Sequence, residues 1–371
     1  MINPQSADVV IIGGGIVGCS AALSLSRRGL RVILLERDTC GSRSSGVNFG
    51  GVRRQGRTIE QLPLAVRAKR IWDTLPDYIG IDGEYIQSGH LKLARSQQEF
   101  AELESYRERT RDFGLDLQLI GPMTLRQRFS WLASNVTGGS YCPQDGQANP
   151  RLVSPAFAAA ARRAGTLIFE RFTVSGIEKL SEEFHVSGAD GSRFTAPNLL
   201  NCAGAWSKDL AAQFGDEVPL TQGYPAMAVT EPLPFFIPYS LGVCGSEVYC
   251  RQVQRGNVVM GGGRGIGLTD STSRSTAEML QTLMARIVRL IPSMRNVQII
   301  RTWSGVEAYT PDKQPILCAS PTTAGLFHGF GLSGAGFEIG PAVGEVLADL
   351  VIDGRTETPI HTFDLQRFTL S

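Results

Sequence analysis

The sequence predicts a mixed α/β (α+β) chain: a domain built on a parallel sheet, interrupted by an inserted antiparallel β-rich domain. Three observations predict it. A short apolar run, Asp8-Val-Val-Ile-Ile12, leads into glycines and a helical pattern. A strand-rich, Pro-interrupted stretch occupies the middle of the chain. A second glycine-rich loop then opens a last apolar helix near the C-terminus.

Each element has a local reason. Asp8–Ile12 is apolar throughout, as a strand buried on both faces must be. Ile16–Arg28 carries apolar residues at helical spacing, and Gly29 stands where a helix-ending glycine belongs. Arg31–Glu36 reads as a second buried strand, so residues 8–36 form a βαβ start of about 30 residues. Leu62–Leu75, Ser96–Phe113 and Pro150–Gly165 read as amphipathic helices. Leu167–Arg171, Val174–Lys179, Glu183–Gly188 and Arg193–Ala196 shorten into strands, with Asp190-Gly191 as a hairpin turn. Residues 198–204 return to the first sheet. Val218–Met260 is strand-rich, Ser275–Ile291 helical, Val297–Gly305 a strand and Gly334–Ile352 the closing helix. These readings divide the chain into residues 1–80, 150–215 and 310–371 for the parallel-sheet domain, and 81–149 and 216–309 for the insertion.

Composition removes several functions. Lys and Arg number 36 against 35 Asp and Glu, so no basic excess points to nucleic acid or to an anionic membrane. The seven cysteines are dispersed and form no C-x-x-C pair, which argues against a metal or iron–sulfur site and for a reduced, cytoplasmic setting. Residues 1–8 are polar without a Lys/Arg-rich start, so neither a signal peptide nor a membrane span is expected. Contact with a membrane through a partner stays open.

The first chemical signal is Gly13-x-Gly15-x-x-Gly18 between strand and helix. Gly13 permits the tight turn, Gly15 lets a pyrophosphate reach the backbone, and Gly18 lets helix and strand pack closely. Ile16 and Val17 open the helix, whose free N–H groups and dipole favour phosphate. Glu36 ends the second strand, where a carboxylate accepts hydrogen bonds from an unphosphorylated adenosine ribose. Arg37 follows it.

Five further pieces lie in a consistent order: Gly41-Ser-Arg-Ser-Ser-Gly46 with Gly50-Gly-Val-Arg-Arg-Gln55; Asn201-Cys-Ala-Gly-Ala-Trp206; Arg301-Thr-Trp-Ser-Gly305; Thr310-Pro-Asp-x-x-Pro315; and Gly329-Phe-Gly-Leu-Ser-Gly-Ala-Gly336. With Val10–Gly18 and Glu36 they make the chain resemble, over nearly its whole length, the D-amino-acid oxidase superfamily. The similar branch is that of sarcosine oxidase, glycine oxidase and proline, hydroxyproline or opine dehydrogenase subunits. The resemblance implies a Rossmann-like FAD-binding domain and non-covalent FAD. It places Arg43, Ser44 and Ser45 along the pyrophosphate and ribityl chain, with Val174, Ala203, Gly204 and Trp206 backing the cofactor. Gly331, Leu332, Ser333, Gly334, Ala335 and Gly336 would line the flavin, where a helix N-terminus favours the reduced, anionic state.

The resemblance further implies removal of a hydride from the carbon beside an amine nitrogen of an amino acid, giving an imine. Arg53 or Arg54 would grip the substrate carboxylate as a bidentate fork. Strand alternation puts Tyr249 and Arg251 on one face, and so both beside the pocket. Arg301 and Trp303 are weaker candidates. His328 is expected to be a packed, hydrogen-bonded histidine.

Three departures from the monomeric sarcosine oxidases narrow the reading. Glu307 stands where those proteins link flavin through Cys. Val259 matches their oxygen-activating Lys, which favours a dehydrogenase passing electrons to partner redox subunits. Glu338 stands where a Lys helps hold the carboxylate, so it either points elsewhere or faces a cationic group. A hydrogen-peroxide-forming oxidase and a non-catalytic electron relay are the alternatives.

Overall fold

The computed structural model describes residues 5–269 and 271–368. A six-stranded sheet has the order Ile316–Ala319, Leu326–Phe330, Asn198–Asn201, Val9–Ile12, Val32–Leu35, Leu167–Phe169. All neighbours are parallel except the first pair. Val9, Val10, Ile11, Val32, Ile33, Leu34 and Leu35 are buried, as covered parallel strands require.

The helix Ile16–Arg27 follows the strand Val9–Ile12, and the helix Gly336–Asp353 follows Leu326–Phe330. They lie against each other through small residues. A Cβ on Gly344 would stand 2.5 Å from Ala21 N, and one on Gly340 2.7 Å from Ile16 Cγ2. Ser20 Oγ donates to Pro341 O at 2.8 Å. Both strands run the same way through Asn198–Asn201, so both helices start at the carboxyl edge of the sheet, where ligands of such sheets bind.

The second large sheet has eight strands, in the order Ile299–Ser304, Pro225–Pro232, Asn257–Arg264, Tyr249–Gln252, Ser240–Val243, His90–Ala94, Gly138–Cys142, Gln118–Ile120. Its one parallel pair joins Ser240–Val243 to His90–Ala94, and it is otherwise antiparallel. The helix Ala277–Leu290 packs Met279, Leu283, Ile287 and Leu290 into its core. A four-stranded sheet, Gln5–Ser6, Arg193–Ala196, Glu183–Gly188 and Val174–Leu180, covers one side of the parallel sheet.

The expected helix Leu62–Leu75 is two helices, Leu62–Asp73 and Leu75–Ile79. Pro76 has no N–H to carry the first helix's hydrogen bonds onward and sits instead in the first turn of the second, with Thr74 between them at φ −115°. The Asp190-Gly191 turn forms as expected, with Gly191 at φ +84° and Ser192 N donating to Asp190 Oδ1 at 3.0 Å.

Candidate active site

One cleft of about 970 Å³ runs from the first glycine turn to the face of the eight-stranded sheet. At one end the strand Val9–Ile12 meets Gly13 at φ +106°, where a Cβ would stand 2.4 Å from Cys202 O. A Cβ on Gly18 would stand 2.0 Å from Gly13 O, so this glycine serves helix–strand packing and does not face the cleft. A Cβ on Gly15 would meet only Ser45 Oγ, at 3.2 Å, which leaves the backbone open to a ligand. The helix there has no side-chain cap. Ile16 N donates to Ser45 Oγ at 2.9 Å, so Ser45 braces the turn. Ile16 and Val17 both line the cleft.

Glu36 accepts from Gly14 N at 2.6 Å and from Asp38 N at 2.7 Å. Each oxygen keeps capacity for a second donor from the cleft side. Arg37 lies 4.5 Å and Arg43 5.8 Å from the Trp206 ring, on which they stack as cations. Arg43 Nε also pairs with Asp38 at 2.7 Å. Ser44 Oγ donates to Val306 O, tying this loop to the connection after the strand Ile299–Ser304. Val174, Ala203, Gly204 and Trp206 complete this end.

At the far end the loop Gly331-Leu332-Ser333-Gly334-Ala335 turns into Gly336. Gly331 and Gly334 have φ +68° and +84°, and Ser333 is held at φ +48°. That strained serine is pinned: Ser333 N donates to Ala308 O at 3.1 Å, and its Oγ accepts from Thr310 N at 3.2 Å. No side chain caps the helix, and a Cβ on Gly334 would meet only Glu307 Oε2, at 3.9 Å. Both helix starts therefore face one cleft, a cradle for phosphate at one end and for a developing anion at the other.

The wall facing that loop carries charge. Arg53 lines the cleft and spends one N–H on Gln55 O. Burial, then Arg57, lowers its pKa to about 10. Among the described residues no acid lies within ion-pair distance of Arg53 or of Lys92, which also lines the cleft. Their Nη1 and Nζ lie 3.1 and 3.3 Å from the place of a Cβ on Gly56, so the two cations are neighbours. Burial, then Arg53, pulls the Lys92 amine down. His90 stands on the same strand and lines the same cleft.

Glu338 is resolved by a partner that the sequence does not indicate. Arg57 Nε donates to Glu338 Oε2 at 3.1 Å, with both side chains buried. Burial pushes the Glu338 carboxyl up to about 7, against the pull of Arg57. Its charge is thus met from within the protein. Tyr249 and Glu307 also line the cleft. Burial pushes the Tyr249 phenol to about 12 and raises the Glu307 carboxyl, which accepts from Tyr309 Oη at 2.8 Å.

Three expectations are corrected. Arg54 does not face the cleft, nor is it solvated. It is buried 3.8 Å from Asp145 Oδ1 and donates to Gly114 O and Gln144 Oε1, while its own N–H holds Asp145. Arg251 does not line the cleft either. Phe49 lies over it, and Arg251 Nε donates to Phe49 O at 2.7 Å. Val259 is buried outside the cleft lining: it pairs with Arg251 on the face that carries Tyr249, two residues farther along the strand and, like Arg251, beyond the cleft. Gly262, Gly263 and Arg264 line the cleft from this strand.

Residues outside the cleft behave structurally. His328 is buried and bonded to Asp216 at 2.8 Å. Trp303 Nε1 donates to Val47 O at 2.7 Å. The seven cysteines are free and buried, and no group among the described residues is arranged to hold a metal ion. No helix among the described residues is long and apolar enough to cross a membrane.

An open glycine approach, an acid at the second strand and a glycine loop at a second helix start define the site of an extended dinucleotide carrying a redox ring, and the residues present fit FAD. The chain belongs to the FAD dependent oxidoreductase (DAO) family, which it matches over residues 8–350, and FAD is its cofactor. Mitochondrial sarcosine dehydrogenase of Homo sapiens is 26% identical across 98% of this chain, which spans 42% of that protein. An opine oxidase subunit of Rhizobium meliloti is 27% identical over 97% of both chains. The crystal structure of L-proline dehydrogenase from P. horikoshii superposes with a TM-score of 0.92 at 28% identity, covering 99% of each chain.

Proposed function

We propose that this chain oxidises the C–N bond of an amino acid and hands the electrons to a partner acceptor. The observation that carries this reading is Arg53, a half-buried cation without an acid partner among the described residues, in the wall facing the 331–336 loop. Its planar fork suits a carboxylate, and a partly desolvated, unpaired cation favours binding one. Lys92 beside it adds to the same field. Tyr249 and Phe49, 4.8 Å apart edge to face, give the pocket an apolar side for the substrate carbon chain.

FAD, when bound, supplies the two-electron acceptor for the substrate hydride. The chain's part is to fix the carboxylate at Arg53, hold the amine nitrogen toward the His90 side, and present the α-carbon to the 331–336 loop. Secondary amines and D-amino acids of the proline, hydroxyproline, sarcosine, glycine and opine kind fit this polarity. Delivery to other redox subunits is supported by a relative that is itself named as one subunit of an oxidase.

A second reading is an oxidase that forms hydrogen peroxide. Lys92 favours it, since a cleft cation stabilises charge developing on oxygen. Anaerobic addition of these amines to the holoenzyme tests the main reading: one of them bleaches the flavin band. Rapid return of colour in air selects the oxidase; slow return selects the partner acceptor.

A further inference from the structure

His90 is a neutral hydrogen-bond acceptor built into the cleft, and nothing in the sequence marks it. Gln55 Nε2 donates to Ser140 O at 3.1 Å and to Ser140 Oγ at 2.8 Å. That fixes the Gln55 amide with Oε1 toward His90, 2.7 Å from Nδ1. A carbonyl oxygen only accepts, so Nδ1 carries the proton. Gln55 is itself held by its backbone N–H, which donates to Asp145 Oδ2 at 2.9 Å.

With the proton on Nδ1, Nε2 of the neutral ring keeps its lone pair. That edge borders the cleft: a Cβ on Gly242, a cleft residue, would stand 3.9 Å from Nε2. The charged groups around it favour the neutral ring. Burial first, then Arg53 and Arg57 from the preceding loop and Lys92 from its own strand, hold its pKa well below the usual value. Asp145 lies behind Gln55, and Tyr249 flanks Gly242 on the other side.

We propose that His90 Nε2 accepts a hydrogen bond from the N–H of the substrate amine and so sets which nitrogen-bearing face meets the cofactor. This rests on the amine reading above. A histidine titrating below about 6.5 does not remove a proton from an ammonium group titrating near about 10. The proton leaves to water, helped by the repulsion of Arg53, Arg57 and Lys92 for a bound cation. His90 then holds the neutral amine as a binding and positioning residue.

Two ring acids of nearly equal shape separate this role from general support of the fold. Pyrrole-2-carboxylate offers a ring N–H where furan-2-carboxylate offers an oxygen. Binding of each to the holoenzyme is followed by perturbation of the flavin absorbance. The wild type is expected to bind the pyrrole acid roughly 10-fold more tightly, the worth of one neutral hydrogen bond. His90→Leu is expected to erase that preference while keeping the furan acid's affinity, and His90→Gln, which retains an acceptor, to restore part of it. An unchanged preference in His90→Leu overturns the proposal, as does equal binding of the two acids by the wild type. The amine reading fails separately, if no amine bleaches the wild-type flavin.

Discussion

Arg57 and Glu338 form a buried ion pair, Nε to Oε2 at 3.1 Å, across the mouth of the last helix. The partners lie 281 residues apart in sequence. Trp72 Nε1 donates to Glu338 O at 2.9 Å, so the same turn is held from two sides. Arg57→Met leaves a buried carboxylate uncompensated and is expected to cost about 3–5 kcal/mol, whereas Arg57→Met with Glu338→Met recovers most of it. Thermal unfolding of the FAD-loaded variants checks both.

Glu338 also gives stability a pH dependence. Its folded pKa, about 7, lies above the ordinary 4.5, so the folded chain keeps a proton that the unfolded chain releases. Its contribution is therefore full below about 4.5 and is lost as pH rises to about 7. Melting temperatures of wild type and Glu338→Gln, compared across that window, are expected to show the wild type losing ground as pH rises. A parallel pair of curves contradicts this.

Arg53 and Arg54 are adjacent in sequence and opposite in role. Arg53→Met is expected to raise KM for the amino acid roughly 100-fold, through loss of a charge-assisted bidentate contact, with the flavin spectrum intact. Arg54→Met, which strips Gln144 and Gly114 of a buried donor and Asp145 of a nearby countercharge, is expected to lower the melting temperature with little change in KM. Steady-state kinetics and unfolding curves on the two variants separate them.

Gly15→Val places side-chain atoms where the cofactor approaches the backbone, and is expected to yield protein with little bound flavin. Gly18→Ala puts a Cβ 2.0 Å from Gly13 O and is expected to misfold the turn itself. Flavin absorbance per chain after purification, with circular dichroism for the fold, reads the difference.

Where function follows from local chemistry, the sequence is legible. Gly13, Gly15, Gly18 and Glu36 lie within one strand–helix–strand unit, so spacing alone places them. The 331–336 loop is legible for the same reason. Arg57, His90 and Lys92 are not, because each matters only through residues far away in the chain: Glu338 for Arg57, Gln55 and Gly242 for His90, Arg53 and Gly56 for Lys92. Alternation sets Tyr249 and Arg251 on one face; Tyr249 lines the cleft, but alternation carries no sign of Phe49 folding over Arg251. Val259 shares the face of Tyr249 but lies with Arg251 farther along the strand, so alternation gives its face and not how far the cleft extends.

Oxidation of an amino acid held at Arg53 is tested most directly by the visible spectrum of the purified holoenzyme, recorded without oxygen while proline, hydroxyproline, sarcosine, glycine, opines and D-amino acids are added in turn. One of these amino acids is expected to bleach the flavin band of the wild type, and to do so only at far higher concentration in Arg53→Met. A flavin band that no amine bleaches, while a partner's electrons do, contradicts this and makes the chain an electron relay.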